Sequence, residues 1–446
     1  MLRELLTPEI RELVEQKDWR TLKDALSPWP PQDIVELLES FEDESKIIIF
    51  RLLPRDLAAE VFSELDAGAQ KNLLHQMSNE HIKEIFLEMS PDDRTDVFEE
   101  LPSGATKEFL SLLPPGERKE AMELLGYPEY SVGRLMTPDY VAVRSSWTVE
   151  ESLDHVRKYG KDAETVDILY VVDEKWHLLD DIPLGTLILA SPEAKVESIM
   201  DREFLSVHAS HDQEEAVRLM KKYNLIVLPV VDSQNILLGV VTVDDVIDVY
   251  EEEVTEDIHK GASVIPFEIN YSTISAFSLF RKRIVWLLFL AIAGFLSGNV
   301  ISSFQETLGE VIILAFFVPV LLGTGGNTGT QSATLIIRAL VTGDLTPKKW
   351  LSVIRKEILV GVLLGLFLGL VLYAWSFAWK GSGRVSLIIG ISVAIIAVWA
   401  NLVGSILPII LRKMKLDPAI VSSPLISTIT DVSGLLIYFT VAMLML

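Results

Sequence analysis

Arg281-Lys-Arg-Ile-Val-Trp-Leu-Leu-Phe-Leu-Ala-Ile-Ala-Gly-Phe-Leu-Ser-Gly-Asn-Val-Ile-Ser-Ser303 places three bases ahead of 20 residues without a charge. About twenty apolar residues in a helix cross the hydrocarbon of a bilayer, so this stretch divides the chain into a soluble part and a membrane part. After this first span, 284–303, four more of similar length follow, near 311–338, 355–379, 385–411 and 419–445. The charge divides at the same place. The 446 residues carry 39 Lys plus Arg and 63 Asp plus Glu, a net of −24, yet the part from Arg281 onward is +7 and the part before it −31. A hydrophobic content of 49% excludes a disordered chain, and the length excludes a single small module. So acidic a soluble half repels phosphate backbones, which argues against nucleic acid and makes cations its natural partners. With no cysteine, any metal must meet oxygen or imidazole ligands. The opening Met1-Leu-Arg-Glu-Leu-Leu lacks a basic segment leading into an apolar run, so no signal peptide is expected.

Orientation follows from the bases. Arg281–Arg283, the group Arg338, Lys348, Lys349, Arg355 and Lys356, and the group Arg412, Lys413 and Lys415 fall on one side of the five spans. Lys380 and Arg384 fall on the other, and the loop at 304–310 holds Glu306 and Glu310. The positive-inside rule then puts the soluble half in the cytoplasm and the C-terminus outside.

Two places inside the spans carry chemistry. Asp431 lies midway along the fifth, with Ser423 and Ser427 at positions that share its helical face. An ionisable group at that depth is costly unless it meets water, a partner or an ion. The second span contains Pro319-Val-Leu-Leu-Gly-Thr-Gly-Gly326-Asn327-Thr-Gly-Thr330-Gln-Ser332. Such glycines either admit a neighbouring helix or mark a break whose carbonyls face water. With Asn327, Thr330 and Asp431 they predict a hydrophilic path lined by oxygens, suited to a hard divalent cation.

The soluble half is repetitive. Leu53-Pro, Leu65-Asp, Met77-Ser, Met89-Ser, Leu101-Pro, Leu113-Pro and Leu125-Gly recur every 12 residues. Each ends an apolar stretch and caps the next, which predicts short stacked helices. One unit holds Asp92, Asp93 and Asp96 at a helix start. A second repeat aligns Arg134-Leu-Met-Thr-Pro with Ser198-Ile-Met-Asp-Arg, and Tyr170-Val-Val-Asp173 with Leu228-Pro-Val-Val-Asp232. Its β-α-β-β-α order resembles a tandem CBS pair, a module that often binds nucleotides. The first copy has Trp176-His-Leu-Leu-Asp180-Asp181 where that pattern has a glycine turn, so a nucleotide partner is conceivable but not expected.

Between Lys222 and Lys260 there is no base and there are nine carboxylates: Asp232, Asp244, Asp245, Asp248, Glu251, Glu252, Glu253, Glu256 and Asp257. Like charges at i, i+4 destabilise a helix, so something positive should relieve them. No Walker lysine, HExxH or GxSxG is present, and no enzyme is expected.

Together these features resemble the MgtE family of magnesium channels or transporters. The resemblance rests on Gly325-Gly-Asn-Thr-Gly-Thr-Gln331, Asp417-Pro-Ala with Asp431, Val241-Thr-Val-Asp-Asp245 leading to Thr255-Glu-Asp-Ile-His259, and Asp92-Asp-Arg94. It implies a prokaryotic inner-membrane homodimer that moves Mg2+ and closes when cytoplasmic Mg2+ is plentiful. It further implies a pore ion at Asp431, assisted by Gly326, Ser423 and Ser427, and regulatory ions at Asp92, Asp96, Asp212, Glu214, Asp245, Asp248, Glu253, Glu256, Asp257 and Asp417. This chain departs from the family pattern at Asn224, Thr330 and Ser427. The expected architecture is multi-domain: an N-terminal α-solenoid of short helices over 1–130, an α+β tandem CBS pair over 131–250, an acidic connecting (plug) helix over 251–280, and a five-span all-α transmembrane domain over 281–446. A broader Mn2+ or Co2+ transporter, a CBS-bearing anion channel and a membrane sensor that transports nothing are the rival readings.

Overall fold

The computed structural model describes residues 2–267, 271, 274–304, 312–341, 345, 350–414, 416–420 and 423–446. Glu306, Glu310, Lys348, Lys349 and Lys415 lie outside them. The described chain divides into two compact units, Met1–Glu252 and Glu253–Leu446.

The first unit opens with α1 (Leu2–Gln16), α2 (Trp19–Leu26) and α3 (Pro31–Glu39), followed by the 12-residue repeat as α4 (Asp43–Leu52), α5 (Arg55–Ser63), α6 (Ala67–Gln76), α7 (Asn79–Glu88), α8 (Pro91–Glu100), α9 (Ser103–Leu112) and α10 (Pro115–Leu124). The punctuating residues act as caps. Pro54, Asp66, Ser78, Ser90, Pro102 and Pro114 stand at the N-caps of α5 to α10, and Asp66 accepts from the Ala69 N–H. A proline there gives up an N–H the helix would leave unpaired. The same period sets the core, because Phe50, Phe62, Leu74, Phe86 and Phe98 are all buried. Their rings touch at 6.1 Å (Phe50–Phe62), 6.3 Å (Phe62–Phe86) and 5.0 Å (Phe86–Phe98).

Next come α11 (Val132–Leu135) and two copies of one α/β unit. The first is β1 (Ala142–Arg144), α12 (Val149–Tyr159), β2 (Ile168–Val172), β3 (Leu178–Pro183) and α13 (Leu184–Leu189). The second is β4 (Val207–His208), α14 (Gln213–Tyr223), β5 (Val227–Val231), β6 (Leu237–Thr242) and α15 (Val243–Gly261). In each sheet the first strand runs parallel to the second and the third antiparallel to it. The two hairpin tips exchange bonds, Leu178 N–H to Asn235 O at 3.0 Å and Leu237 N–H to Trp176 O at 2.9 Å. Trp176 (φ 67°) and Asn235 (φ 65°) occupy matching left-handed positions. A tryptophan in that region costs about 1–2 kcal/mol. The Arg144 guanidinium, 5.1 Å from its ring centroid, helps to hold it there.

The acidic helix differs from its expected limits. It begins inside the second repeat at Val243 and ends at Gly261. Beyond it Ser263 turns left-handed (φ 60°), and the Ile265 N–H bonds Lys282 O at 3.1 Å. Pro266, which lacks a donor, follows.

Among the described residues of the second unit five helices are long and apolar enough to span a bilayer: α16 (Ala276–Ser303), α17 (Val318–Val341, preceded by a 3-10 turn from Ile312), α18 (Trp350–Lys380), α19 (Gly383–Lys413) and α20 (Ser423–Met445). Of the two readings of the glycines in the second span, a break does not occur, since α17 is one helix throughout. The glycines serve contact instead. A Cβ on Gly404 of α19 would collide with the Gly329 carbonyl of α17. Hydroxyls in these helices are satisfied locally: Thr324, Thr328, Thr428, Thr430 and Ser433 each donate to the carbonyl four residues back, at 2.7–2.9 Å.

Gly404→Ala should therefore force α17 and α19 apart, at about 1–3 kcal/mol, and lower the thermal midpoint of the detergent-solubilised protein. Gly298→Ala is the control, because nothing lies within 4 Å of the Cβ it adds. Equal midpoints for the two variants would refute the close contact.

Candidate functional site

On α20, Ser423, Ser427 and Asp431 lie one above another and are all half-buried. Across from them Gly326 of α17 is buried, and a Cβ there would stand 3.2 Å from Ser427 Oγ. The structure thus brings Gly326 and Ser427 together. Asn327, next along α17, is exposed, and Thr330 is half-buried. The neighbouring Thr328 and Thr430 hydroxyls are committed to backbone carbonyls. Among the described residues no hydrogen-bond donor reaches the Asp431 carboxylate.

A second acidic place lies in the first unit, where α8 meets the start of α15. Asp92 is 7% exposed and its Oδ1 has no hydrogen-bond partner. Burial, then Asp245 and Asp93, hold its carboxyl well above the usual range. Burial pushes Asp96 up to about 7, with Glu252, Glu100 and Glu99 adding repulsion. Burial likewise pushes Asp245 to about 7, against a 2.7 Å bond from the Thr242 hydroxyl. Asp93, Asp248 and Glu164 are raised by burial and by one another's neighbours, among them Glu64, Asp244 and Asp93. The nearby base, Arg94, is otherwise engaged. It is 1% exposed and bonds Phe86 O at 3.1 Å, Glu117 at 3.1 Å and Glu120 at 2.9 Å, tying α8 to α10.

Buried carboxylates with no basic partner among the described residues must take up a proton or a cation. Among the described residues no three His, Asp or Glu side chains converge as a ready cage. Magnesium does not need one, because it keeps several waters and binds through one or two carboxylates.

Other expected ligands have different work. Asp212 is the N-cap of α14 and accepts from the Glu214 N–H at 3.0 Å. Glu256 and Asp417 share Lys260, at 2.8 and 2.7 Å. Burial opposes the charge of that ammonium, but hydrogen bonds to Asp417 and Glu256 prevail and raise its pKa. As they stand, these two carboxylates already hold a cation, so an ion would have to displace the lysine. Asn224, where the family pattern has Asp, caps α14 in the left-handed region (φ 54°), a conformation Asn adopts readily. Sequence reasoning passed over Glu64 and Glu164, which lie outside the acidic run, and Lys260, which served there only as its boundary. It also passed over Glu357, which follows the bases Arg355 and Lys356 at the start of the third span.

Comparison with known proteins supplies the family. Residues 318–441 match the MgtE divalent cation transporter family, residues 29–130 the MgtE intracellular N domain, and residues 132–190 and 196–252 the CBS domain. The magnesium transporter MgtE of Thermus thermophilus is 43% identical over 448 residues, covering 100% of this chain and 99% of that one. The Bacillus subtilis magnesium transporter MgtE is 33% identical, over 96% of this chain and 93% of its own. A crystal structure of the cytosolic domain of the Mg2+ channel MgtE in complex with ATP aligns with TM-score 0.53 and 39% identity, over 55% of this chain and 100% of that one. These relatives are transporters or channels, not enzymes. With agreement along the full length, from the helical repeat to the last span, the chain belongs to the MgtE family of magnesium transporters.

Proposed function

We propose that this protein carries Mg2+ into the cytoplasm along a path lined by α17 and α20, and that cytoplasmic Mg2+ closes it. The observation that carries the path is the Asp431 carboxylate, set within a span, met by no donor among the described residues, and continuous with Ser423 and Ser427 opposite Gly326. A charge so placed needs an ion or water. One chain supplies one such stripe. A two-fold dimer would supply two, with Asn327 and Thr330 on the flanks, and two carboxylates suit a partly hydrated Mg2+. The bases Arg281–Arg283, Arg338, Arg355, Lys356, Arg412 and Lys413 support a cytoplasmic soluble half, with the C-terminus outside.

Regulatory Mg2+ would be held by Asp92, Asp96, Asp245 and Asp248, with Glu253 and Asp257 farther along α15. Asp212 and Glu214 would add to them at the start of α14, and Glu256 and Asp417 only on release of Lys260. An ion shifts a conformational equilibrium only by its differential affinity for one state. Several weak sites at about 1–2 kcal/mol each suffice.

Asp431→Ala and Asp431→Asn should each abolish or sharply reduce Mg2+ flux into liposomes holding only this protein, while the purified protein keeps its oligomeric size. Wild-type flux from both would remove Asp431 from the path. No flux from the wild type, with Mg2+ still altering the soluble half, would favour the sensor reading, and equal Mn2+ or Co2+ flux would broaden the substrate.

Neutralising Asp245, Asp248, Glu253, Glu256 and Asp257 together should leave a protein that conducts at millimolar internal Mg2+. Closure at the wild-type concentration would mean that the acidic stretch is only a solvated face.

The protons on Asp96 and Asp245 give a further test. Both carboxyls titrate near 7 when folded, against 3.8 for an ordinary aspartate. The folded state therefore holds extra protons, and the stability they contribute, complete below about pH 4, is lost as pH rises through about 7. In EDTA, hydrogen-exchange protection of α8 should fall between about pH 5 and pH 8, and millimolar Mg2+ should restore it at the upper end. A pH-independent α8 would contradict this picture of the cluster.

A second ligand rests on one observation. Arg144 Nη1 and the Tyr170 hydroxyl are buried without partners in the CBS pair, and the relative's cytosolic domain was solved with ATP. Against a nucleotide stand Asp180 and Asp181 on β3. Calorimetry with ATP on the wild type and on Tyr170→Phe separates the two readings.

A further inference from the structure

Glu357 lies two turns into α18, within the stretch Trp350–Trp379 that is apolar enough to span a bilayer. Its surroundings are specific. Glu357 Oε2 accepts from the Ser332 hydroxyl of α17 at 2.9 Å and from Asn401 Nδ2 of α19 at 2.8 Å, and Asn401 Nδ2 also reaches the Glu357 carbonyl at 2.6 Å. The Ser332 hydroxyl lies 3.1 Å from the Asn401 carbonyl as well. Ser332 and Asn401 are each 3% exposed. One residue therefore ties three helices together, and hydrogen bonds are stronger in a low-dielectric setting.

The rest of α18 gives this tie its leverage. Gly361, Gly365 and Gly369 continue the face that starts at Glu357. A Cβ on Gly365 would stand 2.6 Å from the Ala394 carbonyl, and one on Gly369 2.6 Å from the Gly390 carbonyl. Helix α18 thus lies backbone to backbone on α19, which fixes its slide and rotation. At the end of that contact Glu357 reaches across to Ser332, one turn beyond Gly329 and two beyond Gly326. Helix α17 carries the glycine stretch, and a shift of α17 moves Gly326 relative to Ser427.

We propose that Glu357 is a positioning residue for cation transport: through Ser332 and Asn401 it holds the glycine stretch of α17 in register with the Ser423–Asp431 face of α20. This rests on the reading that α17 and α20 line the path. It predicts that hydrogen-bond acceptance at the carboxylate position, rather than negative charge, is what matters. A glutamine amide oxygen can accept both bonds, alanine can accept neither, and aspartate is one methylene too short.

The test is Mg2+ and Co2+ flux in proteoliposomes for wild type, Glu357→Gln, Glu357→Ala, Glu357→Asp, Ser332→Ala and Asp431→Ala, with size exclusion and thermal midpoints for each. Misplacing a positioned group by about 1 Å can cost up to ~100-fold. Glu357→Ala and Glu357→Asp should therefore lose at least ~10-fold in Mg2+ flux and alter the Mg2+ to Co2+ ratio. Glu357→Gln should recover most of the rate and the wild-type ratio. Ser332→Ala, which removes one of two bonds, should lose about 2- to 10-fold. Should Glu357→Ala fail to fold, the Gln and Ser332 variants still decide. Glu357→Gln as deficient as Asp431→Ala would overturn the proposal in favour of a charge requirement. Folded Glu357→Ala or Ser332→Ala with wild-type flux and ratio would overturn it outright. Wild-type flux from Asp431→Ala would instead defeat the reading of the path on which the proposal rests.

Discussion

A carboxylate taken out of water must be protonated, paired or given a cation, and in this protein neither Asp431 nor Asp92 Oδ1 has a hydrogen-bonding partner among the described residues. Asp431 sits in a span with no donor among the described residues. Asp92 is buried with an oxygen left unbonded, while Arg94, two residues away on the same helix, is turned to Glu117 and Glu120. The rest of the structure makes sense around that omission. The 12-residue repeat is the scaffold that presents Asp92 and Asp96. The CBS pair presents Asp245 and Asp248, and the packed helices present Asp431.

Other acids show what happens when pairing is supplied. Glu256 and Asp417 hold Lys260, and Glu357 is satisfied by Ser332 and Asn401. These contacts fix the position of backbone. Asp92 and Asp245, and likewise Asp96 and Glu252, repel each other across two elements, so their protonation and arrangement depend on what neutralises them. The difference between acids that hold a partner and acids that hold none among the described residues is therefore visible residue by residue. It also explains why Asp212, Glu256 and Asp417, grouped with the sensors by resemblance, hold other partners in this structure.

Much of the architecture was legible in the sequence because it is periodic. A cap every 12 residues and a phenylalanine or leucine at the same phase suffice to write out α4 to α10, and the repeated strand signatures suffice for the two sheets. Five apolar stretches suffice for five spans. What escaped was what depends on the distance between chain segments. The glycines of α17 could equally mean a broken helix or a close neighbour, and Gly404 and Ile396 on α19 with Ile426 on α20 decide for the neighbour. Glu357 follows two bases at the start of the third span, and nothing in the sequence marks it until Ser332 and Asn401 are seen to donate to it. Glu64 and Glu164 join the acidic cluster from loops far along the chain. Trp176 seemed to break the repeat, yet its backbone takes the same left-handed turn as Asn235. Of the candidate ion residues, Asp431 and the acids of α8 and α15 were readable from charge and depth, whereas the lysine that occupies two of the others was not.

The most direct measurement is the anomalous scattering of Mn2+ in crystals of the full chain grown with the ion at millimolar concentration. Peaks beside Asp431 and beside Asp92 and Asp245, with Lys260 still bonded to Glu256 and Asp417, are what uncompensated carboxylates as cation sites require. Ions found only along exposed acidic surface, with Asp431 and Asp92 left without any, would contradict the account at its base.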